Sequence, residues 1–186
     1  MYYAEIKKCD IANGPGARLT LFVSGCNHRC KGCFNEVAWD FKYGRPFTQQ
    51  VEDELITLLE RPYIHGLSVL GGEPLDPANI GTVAKFLHNV AMKHPDKTIW
   101  LYTGYTLDID TIMCNKEVPD DMRVILSCCD VIVDGPFIED QKDLTLRFRG
   151  SANQRLIHIP ETLKKGEIVL WDDWQSKEGM RSPRRY

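Results

Sequence analysis

Short apolar runs alternate with amphipathic stretches of helical period along most of this chain, and this alternation is the strongest constraint on its fold. Strands that alternate with helices form parallel sheets, because each helix carries the chain back across the sheet before the next strand begins. The pattern therefore predicts an α/β fold. The predicted strands are Leu19–Val23, Leu67–Leu70, Thr98–Tyr102 and Val131–Val133, and the predicted helices are one capped by Thr48 that ends before Pro62, then Ala78–Met92, Leu107–Met113 and Asp120–Leu126.

The C-terminal part of the chain is less regular, with two further strands predicted at Leu156–Ile159 and Ile168–Trp171. A complete eightfold (β/α) barrel takes about 250 residues, whereas this chain has 186. The sequence thus predicts an incomplete (β/α) barrel of about five or six strands, formed by a single domain over residues 1–174. Residues 175–186 are polar and basic, and we expect them to form a flexible tail.

Charge and hydropathy exclude several classes of partner. The net charge of -3 provides no general attraction to nucleic acid or to anionic membranes. The first ten residues include Glu5, Lys7 and Lys8 and lack the apolar core of a signal peptide, and no later apolar run reaches membrane-spanning length. We therefore expect a cytoplasmic protein that binds neither nucleic acid nor a membrane.

Three of the seven cysteines are clustered in the segment Cys26–Cys33. In a reducing compartment, clustered thiols are typical of metal ligands. Three thiolates can hold a four-iron cluster with one iron left open, which predicts chemistry at that iron rather than electron transfer alone. The alternatives are an electron carrier and a zinc site in which His28 is the fourth ligand. The remaining cysteines, which we expect to be free, are Cys9, Cys114, Cys128 and Cys129.

Each cluster of unusual residues follows the carboxyl end of a predicted strand. In a parallel sheet these ends share one edge, where α/β folds carry their active sites. We therefore expect the clusters to meet around one ligand. They are the three cysteines, Gly71–Pro74, Thr103–Tyr105 and Asp134–Pro136.

The side chains in these clusters suggest specific roles. Gly71 and Gly72 allow the backbone to approach a ligand closely, and Glu73 offers an acceptor for an ammonium group. Thr103 and Asp134 are suited to bonding the hydroxyl groups of a ribose or a ligand carboxylate. Each motif taken alone is also typical of an ordinary turn.

The spacing CxxxCxxC, followed later by Gly71–Pro74, resembles that of the radical S-adenosylmethionine enzymes. Asn13–Arg18 is similar to the segment that precedes the cluster in the glycyl-radical activating enzymes. Within these, the chain resembles the activators of anaerobic ribonucleoside-triphosphate reductase over residues 1–155. The segments that carry this narrower resemblance are Cys30–Asn35, Trp100–Tyr105 and Arg149–Gln154.

The resemblance implies a set of ligands. Cys26, Cys30 and Cys33 would bind three irons of a 4Fe-4S cluster, and the amino and carboxylate groups of S-adenosylmethionine would chelate the fourth. Gly71, Gly72 and Glu73 would hold the amino group, so a bulky residue at Gly72 is expected to exclude the cofactor and spare the iron. Further contacts with S-adenosylmethionine are expected at Gly32, Phe34, Thr103, Asp134 and Ser151.

The resemblance also implies a reaction that needs no catalytic acid or base. A flavodoxin or ferredoxin would supply one electron, and reductive cleavage of S-adenosylmethionine would release methionine and a 5′-deoxyadenosyl radical. That radical would take hydrogen from a glycine of the reductase, with Arg149 and Asn153 contributing to activation of this partner. The alternative within the superfamily is a pyruvate formate-lyase activator or a small-molecule modifying enzyme.

Overall fold

A computed structural model describes residues 1–114 and 116–171, and the predicted tail at 175–186 and the domain boundary at 174 lie outside these residues. The described chain forms one seven-stranded mixed sheet with five α-helices. Its strands are β1 (Tyr2–Asp10), β2 (Arg18–Val23), β3 (Arg45–Pro46), β4 (Gly66–Gly71), β5 (Thr98–Tyr102), β6 (Val131–Asp134) and β7 (Arg155–His158), and its helices are α1 (Gln49–Leu59), α2 (Ile80–Lys93), α3 (Ile109–Ile112), α4 (Asp120–Cys128) and α5 (Ile159–Lys165).

The centre of the sheet is parallel, which confirms the predicted α/β class. The strands lie in the order β3-β1-β2-β4-β5-β6-β7. The four neighbouring strands β2, β4, β5 and β6 are parallel to one another. Phe22 is paired with Leu70, and Leu101 with Ile132. The carboxyl ends of these four strands therefore share one edge of the sheet.

The outer strands differ from the prediction. β1 and β3 were not predicted; β1 pairs antiparallel with both β2 and β3, and β7 pairs antiparallel with β6. The predicted strand Ile168–Trp171 forms only an isolated bridge, between Leu170 and Ile157. The number of strands is seven rather than five or six. The charged residues of β1 obscured it, because an antiparallel strand near an edge needs no continuous apolar run.

The two faces of the sheet are covered differently because successive side chains of a strand point to opposite faces. Residues of α1, α2 and α4 pack against one face, where Leu21, Val69 and Leu101 are fully buried. The other face carries a smaller buried cluster of Trp100, Val131, Val133 and Leu156, against which Phe148 and Trp171 pack. As expected of buried thiols, Cys128 and Cys129 lie in the larger core.

Polar side chains lie at the starts of α1 and α2. Thr48 caps α1 as predicted, since its hydroxyl accepts from the Val51 N–H at 3.4 Å. α2 begins at Ile80 rather than at Ala78. The Asn79 side chain, immediately before it, donates to the carbonyls of Ser24 and Glu73 at 3.0 Å. The start of α2 is thus joined to the end of β2.

The amino end of the parallel strands is closed by Arg18. Its guanidinium is fully buried and donates to Ser68 Oγ at 2.7 Å, to the Leu67 carbonyl at 2.7 Å and to Thr98 Oγ1 at 2.9 Å. Burial lowers the pKa of Arg18 to about 10. Asn13–Arg18, a segment that carries part of the resemblance, therefore lies at the edge opposite the cysteines.

Among the described residues, no helix is both long enough and apolar enough to cross a bilayer.

Candidate functional site

The cysteine loop, Cys26–Cys33, leaves the carboxyl end of β2 at the functional edge of the sheet. Hydrogen bonds fix its start, since the Gly25 N–H donates to the Ala38 carbonyl at 2.8 Å and the Cys26 N–H to the Trp39 carbonyl at 3.3 Å. Near its end, the Cys33 N–H donates to the Cys30 carbonyl at 3.2 Å. The three cysteines thus occupy one turned segment.

All three thiols of this loop are free and half-buried. Burial raises the pKa of Cys26, although hydrogen bonds from the His28 and Arg29 backbones act in the opposite direction. The Asn35 N–H donates to Cys33 Sγ at 3.4 Å. Backbone N–H groups directed at sulfur are among the features that tune iron–sulfur clusters, and soft thiolate ligands suit such clusters. The loop therefore fits a cluster held by three cysteines.

The zinc alternative requires His28 to bind the same ion as the three thiolates. In residues 1–114 and 116–171, no three or more His, Cys, Asp or Glu side chains are grouped to hold a metal ion. A structural zinc ion needs its four ligands to converge on one point, whereas the thiolates of an iron–sulfur cluster bind different irons. His28, the fourth ligand of the zinc alternative, instead has its Nε2 atom 2.9 Å from Glu73 Oε2.

Gly71 and Gly72 pack directly against the segment that precedes the cysteine loop. A Cβ atom at Gly72 would lie 2.5 Å from the Gly25 carbonyl oxygen and 3.1 Å from that of Ala38, and Glu73 donates its N–H to Gly25 at 2.8 Å. A larger residue at Gly72 would therefore displace backbone at the base of the loop. That such a residue excludes the cofactor and spares the iron stays a prediction, and this contact favours a loss of iron as well.

Glu73 joins three of the predicted clusters. Its carboxylate is 1% exposed and accepts hydrogen bonds at 2.8 Å from the Leu75 N–H, Thr103 Oγ1 and the Gly104 N–H. The carboxylate also contacts His28 at 2.9 Å, which links the cysteine loop to the same group. The structure thus brings the cysteine loop, the turn after β4 and the turn after β5 together, as the positions of these clusters after parallel strands predicted.

Thr103 and Asp134 are buried and bonded within the protein. Thr103 donates to Glu73 and accepts from the Tyr105 N–H at 3.1 Å. Asp134 is fully buried, and its oxygens accept from the Leu107 N–H at 2.8 Å and from Arg155 Nε at 3.0 Å. These contacts order the loops at the edge of the sheet, and a direct contact of either residue with a ligand stays a prediction.

The 135–154 loop, which connects β6 to β7, is folded on itself by its own polar groups. Arg149 donates to the Gln154 carbonyl at 2.6 Å, and Asn153 to the Pro136 carbonyl at 2.8 Å. Ser151 is buried, and its hydroxyl accepts from the Ile138 N–H at 3.2 Å. The donors that the sequence places in this region therefore maintain the shape of the loop.

The 135–154 loop also contacts the cysteine loop. Glu139 Oε2 lies 3.1 Å from Lys31 Nζ, and its other oxygen would be 2.8 Å from a Cβ atom at Gly32. Phe34, just beyond the cysteine loop, is 85% exposed. Gly32 and Phe34 thus lie on the open side of the site, unlike the buried Glu73 and Thr103.

Comparisons with known proteins cover most of the chain that carries this site. A family model described as a 4Fe-4S single cluster domain matches residues 12–157. The anaerobic ribonucleoside-triphosphate reductase-activating protein of Vibrio cholerae is 46% identical over 160 residues, which cover 85% of this chain and 97% of that protein. The chain belongs to this family of activating proteins. The Escherichia coli member is 40% identical over 161 residues (86% and 99% of the two chains), and that of Enterobacteria phage T4 is 40% identical over 159 residues (84% and 93%).

Sequence reasoning missed three residues that organise the site in this member of the activating-protein family. His28 was considered only as a zinc ligand, and neither Asn79 nor Arg155 was singled out for its role. Asn79 had a weak signal, since it is a polar residue next to a predicted helix start. The partner of Arg155, Asp134, is 21 residues away along the chain, so no local pattern indicates the pair.

Proposed function

We propose that this chain activates anaerobic ribonucleoside-triphosphate reductase by forming a glycyl radical on it. The observation that carries the proposal is the set of three free, half-buried thiols on one loop, joined through His28 and Glu73 to the Gly-Gly-Glu turn. The family membership supports the same function, because the curated relatives are named as activators of this reductase.

Cys26, Cys30 and Cys33 would hold a 4Fe-4S cluster through three of its irons. When bound and reduced by an external one-electron donor, the cluster would supply the electron for cleavage of S-adenosylmethionine to methionine and a 5′-deoxyadenosyl radical, which would take hydrogen from a glycine of the reductase. Gly71, Gly72 and Glu73 would receive the amino group of S-adenosylmethionine beside the cysteine loop. No side chain of the site is required as an acid or base, since positioning and exclusion of water are the tasks left to the protein.

The other predicted cofactor contacts fall into two groups. Gly32 and Phe34 lie on the exposed side of the cysteine loop and are accessible to a bound molecule. Thr103, Asp134 and Ser151 are buried, and we propose that they act on S-adenosylmethionine mainly by fixing the loops around it. Their hydrogen bonds to Glu73, Arg155 and Ile138 would then hold the site ready before the cofactor arrives.

An incomplete barrel is the architecture that suits this function. The sheet ends at β3 on one side and at β7 on the other, and we propose that it curves as a partial barrel with a lateral opening. Such an opening would admit a glycine-bearing loop of a large partner, whereas a small-molecule enzyme would be more enclosed. We further propose that a flavodoxin or ferredoxin supplies the electron and that the reaction takes place in the cytoplasm.

Electron paramagnetic resonance tests the function directly. The protein is reconstituted anaerobically with iron and sulfide, reduced, and mixed with S-adenosylmethionine and the cognate reductase. We expect a glycyl doublet that collapses when the reductase carries α-deuterated glycine, with deuterium appearing in 5′-deoxyadenosine. Cleavage of S-adenosylmethionine without a protein radical would instead indicate a different radical enzyme, and failure to bind iron would leave no basis for the proposal.

The 135–154 loop is proposed to contact the reductase. Replacing Arg149 or Asn153 by alanine removes a hydrogen bond that folds this loop, so activation of the reductase should fall more than iron content does. The comparison is the yield of glycyl radical per cluster in each variant and in the unaltered protein. An equal yield of glycyl radical per cluster in the variants and the unaltered protein would contradict a role of the loop in contacting the reductase.

A further inference from the structure

His28 lies in the middle of the cysteine loop, with Cys26 and Cys30 on either side along the chain. Its ring is held on two sides, since Nε2 contacts Glu73 at 2.9 Å and the ring meets Tyr105 edge-on with centroids 4.5 Å apart. The side chain is only 22% exposed. A histidine held in this way is a fixed part of the loop rather than a freely rotating surface group.

The Thr103–Tyr105 turn provides the space for this ring. A Cβ atom at Gly104 would lie 2.7 Å from His28 Cδ2 and 2.8 Å from Nε2, so any side chain there would force the imidazole away. The same glycine donates its N–H to Glu73 Oε2, the oxygen that His28 contacts. The turn after β5 therefore both accommodates the ring and supports its partner.

We infer that His28 is a positioning residue, which ties the cysteine loop to the Gly-Gly-Glu turn and thereby fixes the thiolates relative to the binding place of the cofactor. This assignment rests on the proposed function, because it concerns the same site. It also assigns a role to Thr103-Gly104-Tyr105, since this turn leaves space for the His28 ring and bonds the Glu73 carboxylate. Mutation of a residue that orients metal ligands without binding the metal typically lowers metal affinity or activity by about 10–100-fold.

The environment of the Glu73 carboxylate explains why its contact with His28 can hold the cysteine loop in place. It is buried, and three of its four contacts come from the turns that directly follow β4 and β5. Among residues 1–114 and 116–171, only the His28 side chain connects this carboxylate to the cysteine loop. A second side chain of this loop, Asn27, donates to the buried Asp76 at 2.7 Å and supports the same turn after β4. By contrast, the contact between Lys31 and Glu139 has side chains that are 88% and 44% exposed, and exposed pairs of this kind contribute little.

Three substitutions separate the hydrogen bond from the packing of the ring. His28→Gln keeps a donor at a similar distance from the backbone, His28→Phe keeps a ring without a donor, and His28→Ala removes both. His88→Ala, on the exposed side of α2, is the matched control for loss of a histidine. The reconstituted proteins are compared by iron content, the rate of iron loss to a chelator, the affinity for S-adenosylmethionine, and the resonance spectrum of the reduced cluster with and without that molecule.

We expect His28→Phe and His28→Ala to bind S-adenosylmethionine about 10-fold or more weakly and to lose iron faster, whereas His28→Gln stays near the unaltered protein. The spectral change on adding S-adenosylmethionine should shrink in the first two variants only. Equal affinity and equal spectra in His28→Gln and His28→Phe would overturn the assignment, even if His28→Ala fails to fold. If the unaltered protein itself neither binds nor cleaves S-adenosylmethionine, the proposed function fails instead.

Discussion

At the scale of single residues, chemical type matters less than position. Seven cysteines are present, but only the three in the cysteine loop share one turned segment at the carboxyl ends of the strands. Cys9 is exposed on β1, and Cys128 is buried at the end of α4. The thiols therefore divide into three proposed ligands on one loop and others that different elements of the fold carry.

Cys30→Ala tests this division. Loss of one of three thiolates should abolish the stable cluster, so iron content and the brown absorbance should fall to the background of the unreconstituted protein. Cys9→Ala is the matched control, because it removes an exposed thiol outside the site and should leave both quantities unchanged. Full iron content and turnover in Cys30→Ala would contradict the ligand assignment.

Gly72→Val addresses a residue for which the structure favours a different outcome from the one that the sequence predicts. Its side chain would press on the Gly25 and Ala38 carbonyls, and overpacking of this kind costs about 1–3 kcal/mol. We expect lower stability in denaturant unfolding together with reduced iron content. In Gly81→Ala the new Cβ atom meets only the carboxylate of Asp121, at 3.3 Å, so the free energy of unfolding should change by less than about 1 kcal/mol. A Gly72→Val protein with full iron content but no binding of S-adenosylmethionine would support the sequence-based prediction that this position affects the cofactor alone.

At the scale of elements, α5 shows how one side chain determines a helix start. Pro160 occupies its first turn, and His158 Nδ1 accepts from the Glu161 N–H at 3.2 Å. Only the neutral imidazole can accept this bond. Burial lowers the pKa of His158, partly offset by the carboxylates of Asp130 and Glu161. The cap therefore favours the neutral form that the helix requires.

The stability of the capped helix should consequently depend on pH. Because the folded-state pKa lies below the unfolded value of about 6.5, the unfolded chain binds the proton more readily, and stability is lost as the pH falls below that value. His158→Asn keeps a capping side chain that does not titrate. Relative to this variant, the unaltered protein should lose about 1 kcal/mol of unfolding free energy between roughly pH 7.5 and 5.5. A difference that stays constant across this range would exclude His158 as the titrating cap.

At the scale of the whole molecule, the carboxyl ends of the parallel strands carry the candidate site and the amino ends contribute to stability. The carboxyl ends carry the cysteine loop and Glu73, whereas the amino ends are closed by the buried guanidinium of Arg18. From Arg18 to Val23 the strand extends over roughly 17 Å, at about 3.3 Å per residue. We expect substitutions at the amino ends to affect stability without affecting the site.

Arg18→Met tests this separation. It removes donors from the Leu67 and Thr98 carbonyls, which leaves buried acceptors without their bonds, and the free energy of unfolding should fall by about 2–3 kcal/mol. Well below the melting temperature, the iron content after reconstitution should match that of the unaltered protein. Arg61→Met, at an exposed arginine, should change stability by no more than about 0.5 kcal/mol. Loss of iron from folded Arg18→Met would show that the two ends are coupled.

The sequence by itself determined the parallel centre of the sheet and the edge at which the site lies. Apolar runs, helix caps and turn residues are local signals, and strands such as Thr98–Tyr102 are specified by their own side chains. The spacing of Cys26, Cys30 and Cys33 is likewise contained in one short segment. Because parallel strands place their carboxyl ends together, these local signals were enough to predict which clusters converge.

Only the tertiary structure decided the antiparallel strands at the edges and the bonds that organise the site. β1 is recognisable as a strand only once β2 and β3 lie on either side of it. His28 and Glu73 are 45 residues apart along the chain, and their contact needs the fold to bring two loops within 2.9 Å. The physical reason is the same in both cases: hydrogen-bond partners are selected by proximity in space, and a local sequence pattern carries no record of a distant partner.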